Sequence, residues 1–171
     1  MTRFTLAAAT AIAALTGSAA LAQDAGAMAM LNTADGGDGG HVKISQAGSG
    51  TLFHAELKGL APGWHSFHVH EIGSCEDGFD AAGDHYAPDG KGHGLMAEEG
   101  AHAGDLPNIH VGDDGTAMAE FYSARLSVAD GNAPLMDEDG SAIMIHENAD
   151  SYQTDAGAGG RVACGVIAQT K

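Results

Sequence analysis

The sequence predicts an all-β fold, an antiparallel sandwich or barrel of about eight short strands carrying two long functional loops. Three observations lead there. Short runs alternate apolar and polar residues, turn-forming residues separate those runs, and no stretch keeps a helical period. Glycines number 26 and follow no repeat, which favours turns and loops over helices.

Met28-Ala29-Met30-Leu31-Asn32-Thr33 reads as the first strand. Two methionines on one strand face read as packing rather than as soft copper ligands. Asp35 to Gly40 is a turn, and His41 to Gln46 alternates as the second strand. Thr51 to Leu60 puts Leu52, His54, Glu56 and Lys58 on one face and Phe53, Ala55 and Leu57 on the other, so His54 belongs to a solvated surface. After the turn Gly59-Leu60-Ala61-Pro62-Gly63, one strand is expected over Trp64 to Glu71. From Glu71 to Gly115 there is no period, and an irregular segment of that length in a compact domain points to function. Alternation returns over Thr116 to Tyr122, and Arg125 to Val128 reads as another short strand. Gly131 to Gly140 is a connection with Leu135 and Met136 as an apolar plug. Ser141 to Glu147 is a strand carrying His146, Asn148 to Gly160 is the second long irregular segment, and Arg161 to Ala168 is the last strand.

The 171 residues suit one domain once a targeting segment is removed. Carboxylates number 23 against 7 Lys and Arg, a balance that repels a phosphate backbone and argues against nucleic-acid binding. Residues 1–22 read as a secretory signal peptide: Arg3, an apolar run from Leu6 to Leu15, and Ala20-Leu21-Ala22 before Gln23. The run is too short to cross about 30 Å of hydrocarbon, no other segment could form a membrane span, and Ala22-Gln23 lacks the cysteine of a lipoprotein. The expected mature domain is 23–171, in the periplasm. In an exported chain an even cysteine count favours a disulfide, here between Cys75 and Cys164. Closing a loop of ~90 residues stabilises by ~4 kcal/mol in the chain-entropy account. Metal ligation by the thiols is the alternative, although thiolate sites usually show closer spacing.

Five of the ten histidines fall between Phe67 and Asp105. His68 and His70 alternate on a strand, so both leave the same face. With a third imidazole they suit copper or zinc, and His146, on a strand beside an irregular segment, is the natural third. His85, His93, His102 and Asp105 follow one another through Gly-rich sequence. Three imidazoles and a carboxylate make the closed tetrahedral set of a structural zinc site, and occupying it would order the loop. Taken singly, each histidine would be a hydrogen-bonded surface or core residue; the pattern as a whole argues for metal.

Six stretches carry a family resemblance: Phe67-His68-Val69-His70-Glu71, Gly83-Asp84-His85-Tyr86-Ala87-Pro88, Gly92-His93-Gly94-Leu95-Met96, His102-Ala103-Gly104-Asp105-Leu106-Pro107-Asn108, Ile145-His146-Glu147, and Gly160-Arg161-Val162-Ala163-Cys164-Gly165-Val166-Ile167. In this order they make the chain resemble the exported bacterial copper/zinc superoxide dismutases over essentially all of 23–171. The resemblance implies a Greek-key barrel that binds one copper ion and one zinc ion per subunit. Copper would be held by His68, His70, His85 and His146, and zinc by His85, His93, His102 and Asp105, with His85 shared. It implies that Asp150 hydrogen-bonds His68 and His93, that Arg161 docks the small-molecule substrate superoxide, and that Cys75 pairs with Cys164. His85 would carry a proton as superoxide is dismuted to dioxygen and hydrogen peroxide, protecting the cell envelope. Family members occur as monomers and dimers, so a homodimer is left open. Ser66 departs from the small glycine or alanine usual before Phe67. The segment from His146 to Arg161 carries no lysine, which leaves steering of superoxide to Arg161 and Lys91. His65 is expected to brace the copper strand, while His41, His54 and His110 fall outside the ligand set.

Overall fold

The computed structural model describes residues 26–170; the expected signal peptide, and its cleavage between Ala22 and Gln23, lie outside them. Among the described residues the chain forms β1 (Gly26–Thr33), β2 (Asp38–Ala47), β3 (Gly50–Leu57), β4 (Gly63–His65), β5 (Phe67–His70), β6 (Ile109–Val111), β7 (Ala117–Ser123), β8 (Ala142–His146) and β9 (Arg161–Gln169). Seven of these make one antiparallel sheet in the order β5-β8-β9-β1-β2-β3-β7, and β4 pairs with β6. The connections β3 to β5 and β7 to β8 cross from one side of that order to the other, as in a Greek key.

Alternation closes the sheet on itself. Ala27, Ala29 and Leu31 of β1, Val42 and Ile44 of β2, and Phe53, Ala55 and Leu57 of β3 all point into one core. The two edge strands meet across it, where the Phe67 ring packs edge-on against Phe121 at 4.9 Å and Phe121 leans on Phe53 at 5.9 Å. Such aromatic pairs add about 0.5–1.5 kcal/mol each beyond the area they bury. Ile109 and Val111 of β6 fill the same core. On the far side of β8 and β9, Ala142, Met144 and Cys164 pack with Phe79 and Ala82 in a second, smaller cluster. The sheet is therefore buried on both faces only where the first loop lies over it.

The faces of β3 fall as alternation requires, with His54 half-exposed and held between Glu56 and Glu120. Leu135 is fully buried and Met136 packs against the core, so the expected plug is present. Four expectations change. The strand foreseen over Trp64 to Glu71 is two strands in different sheets, because the chain turns at Ser66, whose hydroxyl and amide both donate to the Asn148 carbonyl (2.9 and 2.8 Å). The buried serine is accommodated by those bonds. A strand, β6, lies inside the segment expected to be irregular, and Asp77–Ala82 forms 3₁₀ turns. Arg125 to Val128 is not a strand: Leu126 and Val128 insert into the core, but the Val128 amide donates to the Gln46 side chain. Met28 and Met30 do not pack inside; they share the outer face of β1, with Met30 61% exposed.

Candidate metal centre

Strand β5 is buried on both faces and divides its residues between two tasks. Phe67 and Val69 enter the core, while His68 and His70 leave the opposite face beneath the first loop. Neighbouring β8 ends in His146, which pairs with Arg161 of β9 just past a shift in register. The loop is sewn onto β5 through backbone bonds: Val69 donates to Gly104, Tyr86 to Val69, and Gly104 to Tyr86, each at 2.9 Å. A Cβ on Gly104 would sit 2.3 Å from the Val69 carbonyl oxygen, so only glycine permits that approach. The same seam brings His85 beside His70 and Asp105 beside His68. On the other side, the Cys75–Cys164 disulfide (Cα–Cα 5.8 Å) ties the loop to β9. It is the pairing the sequence predicts.

Two groups of donors result. In the first, one ligand atom each from His68, His70, His85 and His146 lies within 4.8 Å of all the others. These are the four residues expected to hold copper. His68 is oriented most firmly: its Nε2 donates to Asp150 Oδ2 at 2.7 Å, which leaves Nδ1 as a lone pair, fully buried and without a protein partner. A buried acceptor left unpaired is costly unless a cation takes the lone pair. His70 donates from Nδ1 to the Gly83 carbonyl at 2.9 Å, and its Nε2 lies 3.4 Å from His146 Nε2. Burial, reinforced by neighbouring positive charge, pushes His68, His70 and His146 down to about 4, about 2 and about 3. All three are thus neutral at physiological pH, the form that binds metal.

The second group is centred on Asp105. Its Oδ1 accepts from His85 Nδ1 (2.9 Å) and His102 Nδ1 (3.2 Å), and its Oδ2 accepts from the Gly94 and His102 amides (2.9 and 3.1 Å). Burial works to raise this carboxyl, but those hydrogen bonds and the imidazole charges outweigh it and hold it far below the usual range. His93 Nε2 lies 3.7 Å from the same Oδ1. The set within 4.8 Å of one another is His68, His85, His93 and Asp105, so His68 stands where His102 was expected. His68 directs Nε2 to Asp150, as His93 does, whereas His102 directs Nδ1 at Asp105. Imidazole N–H groups facing one carboxylate oxygen are what a zinc site holds before zinc replaces those protons.

Asp150 joins the groups. Its Oδ2 accepts from His68 and His93 Nε2 (2.7 and 2.9 Å), the two partners expected of it. Burial opposes its ionisation, but the His68 hydrogen bond, the Tyr152 amide and nearby imidazole charge together lower its pKa. Two residues that the sequence did not reveal hold it in place. Asn108 makes a reciprocal pair with the Asp150 backbone, accepting at 2.8 Å and donating at 2.9 Å, and the Asn108 amide donates to the Tyr152 hydroxyl at 2.7 Å. The polar residue closing the fourth of the six motifs, Asn108, is the available signal. Arg161 donates to the carbonyls of Phe79 (2.5 Å) and Gly83 (2.7 Å), so Gly83 fixes both His70 and Arg161. With φ +72 and the Glu71 side chain 2.8 Å from any added Cβ, position 83 requires glycine. His65 is buried, with its ring nitrogens against the carbonyls of His146 (2.7 Å) and Ala61 (2.8 Å), and so braces the end of β8 rather than the His68–His70 strand that follows it. Lys91 lines a surface depression with Arg125 and Asn132; none of these belongs to either donor group.

Fold and site together define a class: a Greek-key β-barrel with a buried, imidazole-rich two-metal centre under a disulfide-tied loop. A family model described as copper/zinc superoxide dismutase (SODC) matches residues 39–167. A superoxide dismutase [Cu-Zn] of Caulobacter vibrioides is 46% identical over 147 residues, 82% of this chain and 84% of the relative. Among solved structures, a SOD-like protein from Bacillus subtilis is 36% identical with a TM-score of 0.77, covering 81% of this chain and 96% of that one. The Cu/Zn superoxide dismutase from Brucella abortus is 31% identical with a TM-score of 0.68, covering 84% and 99%. The chain belongs to the copper/zinc superoxide dismutase family, oxidoreductases that use copper and zinc to dismute superoxide.

Proposed function

We propose that His68, His70, His85 and His146 hold copper, that His85, His93, His102 and Asp105 hold zinc, and that His85 serves both. One observation carries this reading above the others: the buried Nδ1 lone pair of His68, with no protein partner, among the neutral imidazoles of His70 and His146. When bound, copper supplies alternating one-electron redox, releasing dioxygen from one superoxide and peroxide from the next, while zinc changes no oxidation state. The protein's own contribution is positioning. Arg161, fixed by the Phe79 and Gly83 carbonyls, presents permanent positive charge and a rigid fork of donors for a small anion. His85, with Nδ1 directed at Asp105, keeps Nε2 to deliver a proton to the departing peroxide. Asp150 fixes His68 and His93 together.

The same reading takes residues 1–22 as a signal removed on export and 23–171 as the mature domain, protecting the cell envelope from the periplasm. The disulfide supports an oxidising compartment. No helix among the described residues is long and apolar enough to cross a membrane. Superoxide is the substrate, and nucleic acid is not a partner given a net charge of −16. A homodimer is compatible with the fold. The test is superoxide consumption by copper- and zinc-loaded protein beside H146A. We expect activity far above free copper, lost in H146A; normal metal loading with activity no better than free copper would replace the enzyme with a metal carrier.

A further inference from the structure

The outer face of the sheet holds a donor set that the metal centre does not use. Met28 and Met30 alternate with the buried Ala27, Ala29 and Leu31, so both project outward from β1. His41 of β2 is the direct cross-strand partner of Met30 and projects from the same face. Cβ atoms of such partners lie ~5 Å apart and diagonal neighbours ~7–8 Å, so two flexible thioethers and one imidazole can reach a common point. His41 makes no side-chain hydrogen bond or ion pair among the described residues. That sets it apart from His54 on the same face, both of whose ring nitrogens are engaged by Glu56 and Glu120. An exposed methionine alone means little. Two of them alternating on one strand, with an uncommitted imidazole in register, are a ligand set.

We propose that Met28, Met30 and His41 form a surface site for a soft monovalent cation, Cu(I). Two thioethers and an imidazole are donors that favour Cu(I) over zinc, calcium or magnesium, and Glu56, the cross-strand partner of His41 on its other side, is already engaged by His54. The set carries no charge, so a monovalent ion leaves little charge to balance, and the net charge of −16 raises the local concentration of cations. Lys43, opposite Met28, is exposed and can turn its ammonium into water. The site is independent of the metal centre: none of its residues lies in either buried donor group.

The experiment uses the copper- and zinc-loaded protein with ¹³C-methyl-labelled methionine, titrated with Ag(I) as a stable stand-in and then with buffered Cu(I). Met96 (64% exposed) and Met118 (78% exposed) are internal controls, being at least as accessible as Met30 without an imidazole as direct strand partner. We expect the Met28 and Met30 methyl signals to shift together and saturate at about one equivalent. M30L should weaken Cu(I) binding by at least tenfold, H41N by a few-fold, and neither should alter superoxide consumption or thermal stability. Equal shifts at all exposed methionines, or unchanged Cu(I) affinity in M28L/M30L, would overturn the proposal.

Discussion

The two donor groups share a histidine but are held by different physics. His146 projects from β8, paired on both sides with β5 and β9. His68 and His70 project from the edge strand β5, paired with β8 on one side and with Tyr86 and Gly104 of the loop on the other, so strand pairing sets the positions of all three. His93, His102 and Asp105 lie in a loop without regular structure and are held mainly by one another and by Asp150. The first group is pre-organised by the fold. The second organises the loop laid over β5, which reaches the core only through Tyr86, Ala103 and Leu106. Metal ought therefore to matter little to the barrel and greatly to the loop.

The largest effect should come from Asp105→Ala, which removes the acceptor for His85, His102 and the Gly94 amide at once. Zinc retention should fall more than a hundredfold and the segment around His102 should exchange its amide hydrogens rapidly, while amides of β1 to β3 keep their protection. A barrel equally exposed would end the distinction. Asp150→Ala should come next, weakening both metals by roughly 10–100-fold because His68 and His93 both lose their partner. Asn108→Ala should produce a smaller loss of the same kind in a chelator competition.

Acid should separate the groups as well. His68, His70 and His146 are depressed from 6.5 to about 4, about 2 and about 3, so the unfolded chain binds more protons than the folded one below pH 6.5. Stability of the metal-free protein is then complete above that pH and is lost progressively as pH falls from it through about 4, about 3 and about 2. The lowered Asp105 and Asp150 carboxyls extend the loss below 3.8. The melting temperature of metal-free protein should drop steeply across this range, and a flat profile would show that the imidazoles are not buried neutral. Least of all, Ser66→Ala should cost about 0.5–1.5 kcal/mol in denaturant unfolding, the worth of one hydrogen bond to Asn148.

The contrast also explains what could be read from the sequence. Alternating residues place Phe53 inside and His54 outside, and His68-x-His70 declares a shared face, because a strand has one period and two sides. Glycine-spaced histidines announce a metal loop without telling how it folds. The break at Ser66 escaped because alternation continues through it while the hydrogen-bond partner changes sheet. Strand β6 escaped because three residues are too few to show a period. Asn108 and Tyr152 carry no metal chemistry of their own, and their role exists only once the two loops meet at Asp150. Met28 and Met30 were misplaced because hydrophobic character alone does not say which side of a strand faces water.

The sharing of His85 is the claim on which the two groups stand or fall together. It is tested by loading Cu(II) into the first group and Co(II) into the second and recording the electron paramagnetic resonance of copper. If one imidazole joins the ions, their spins couple and the isolated-copper signal disappears, returning in the same protein with zinc in place of cobalt. An unaltered copper signal in the fully loaded copper–cobalt protein would mean that the two groups bind separately.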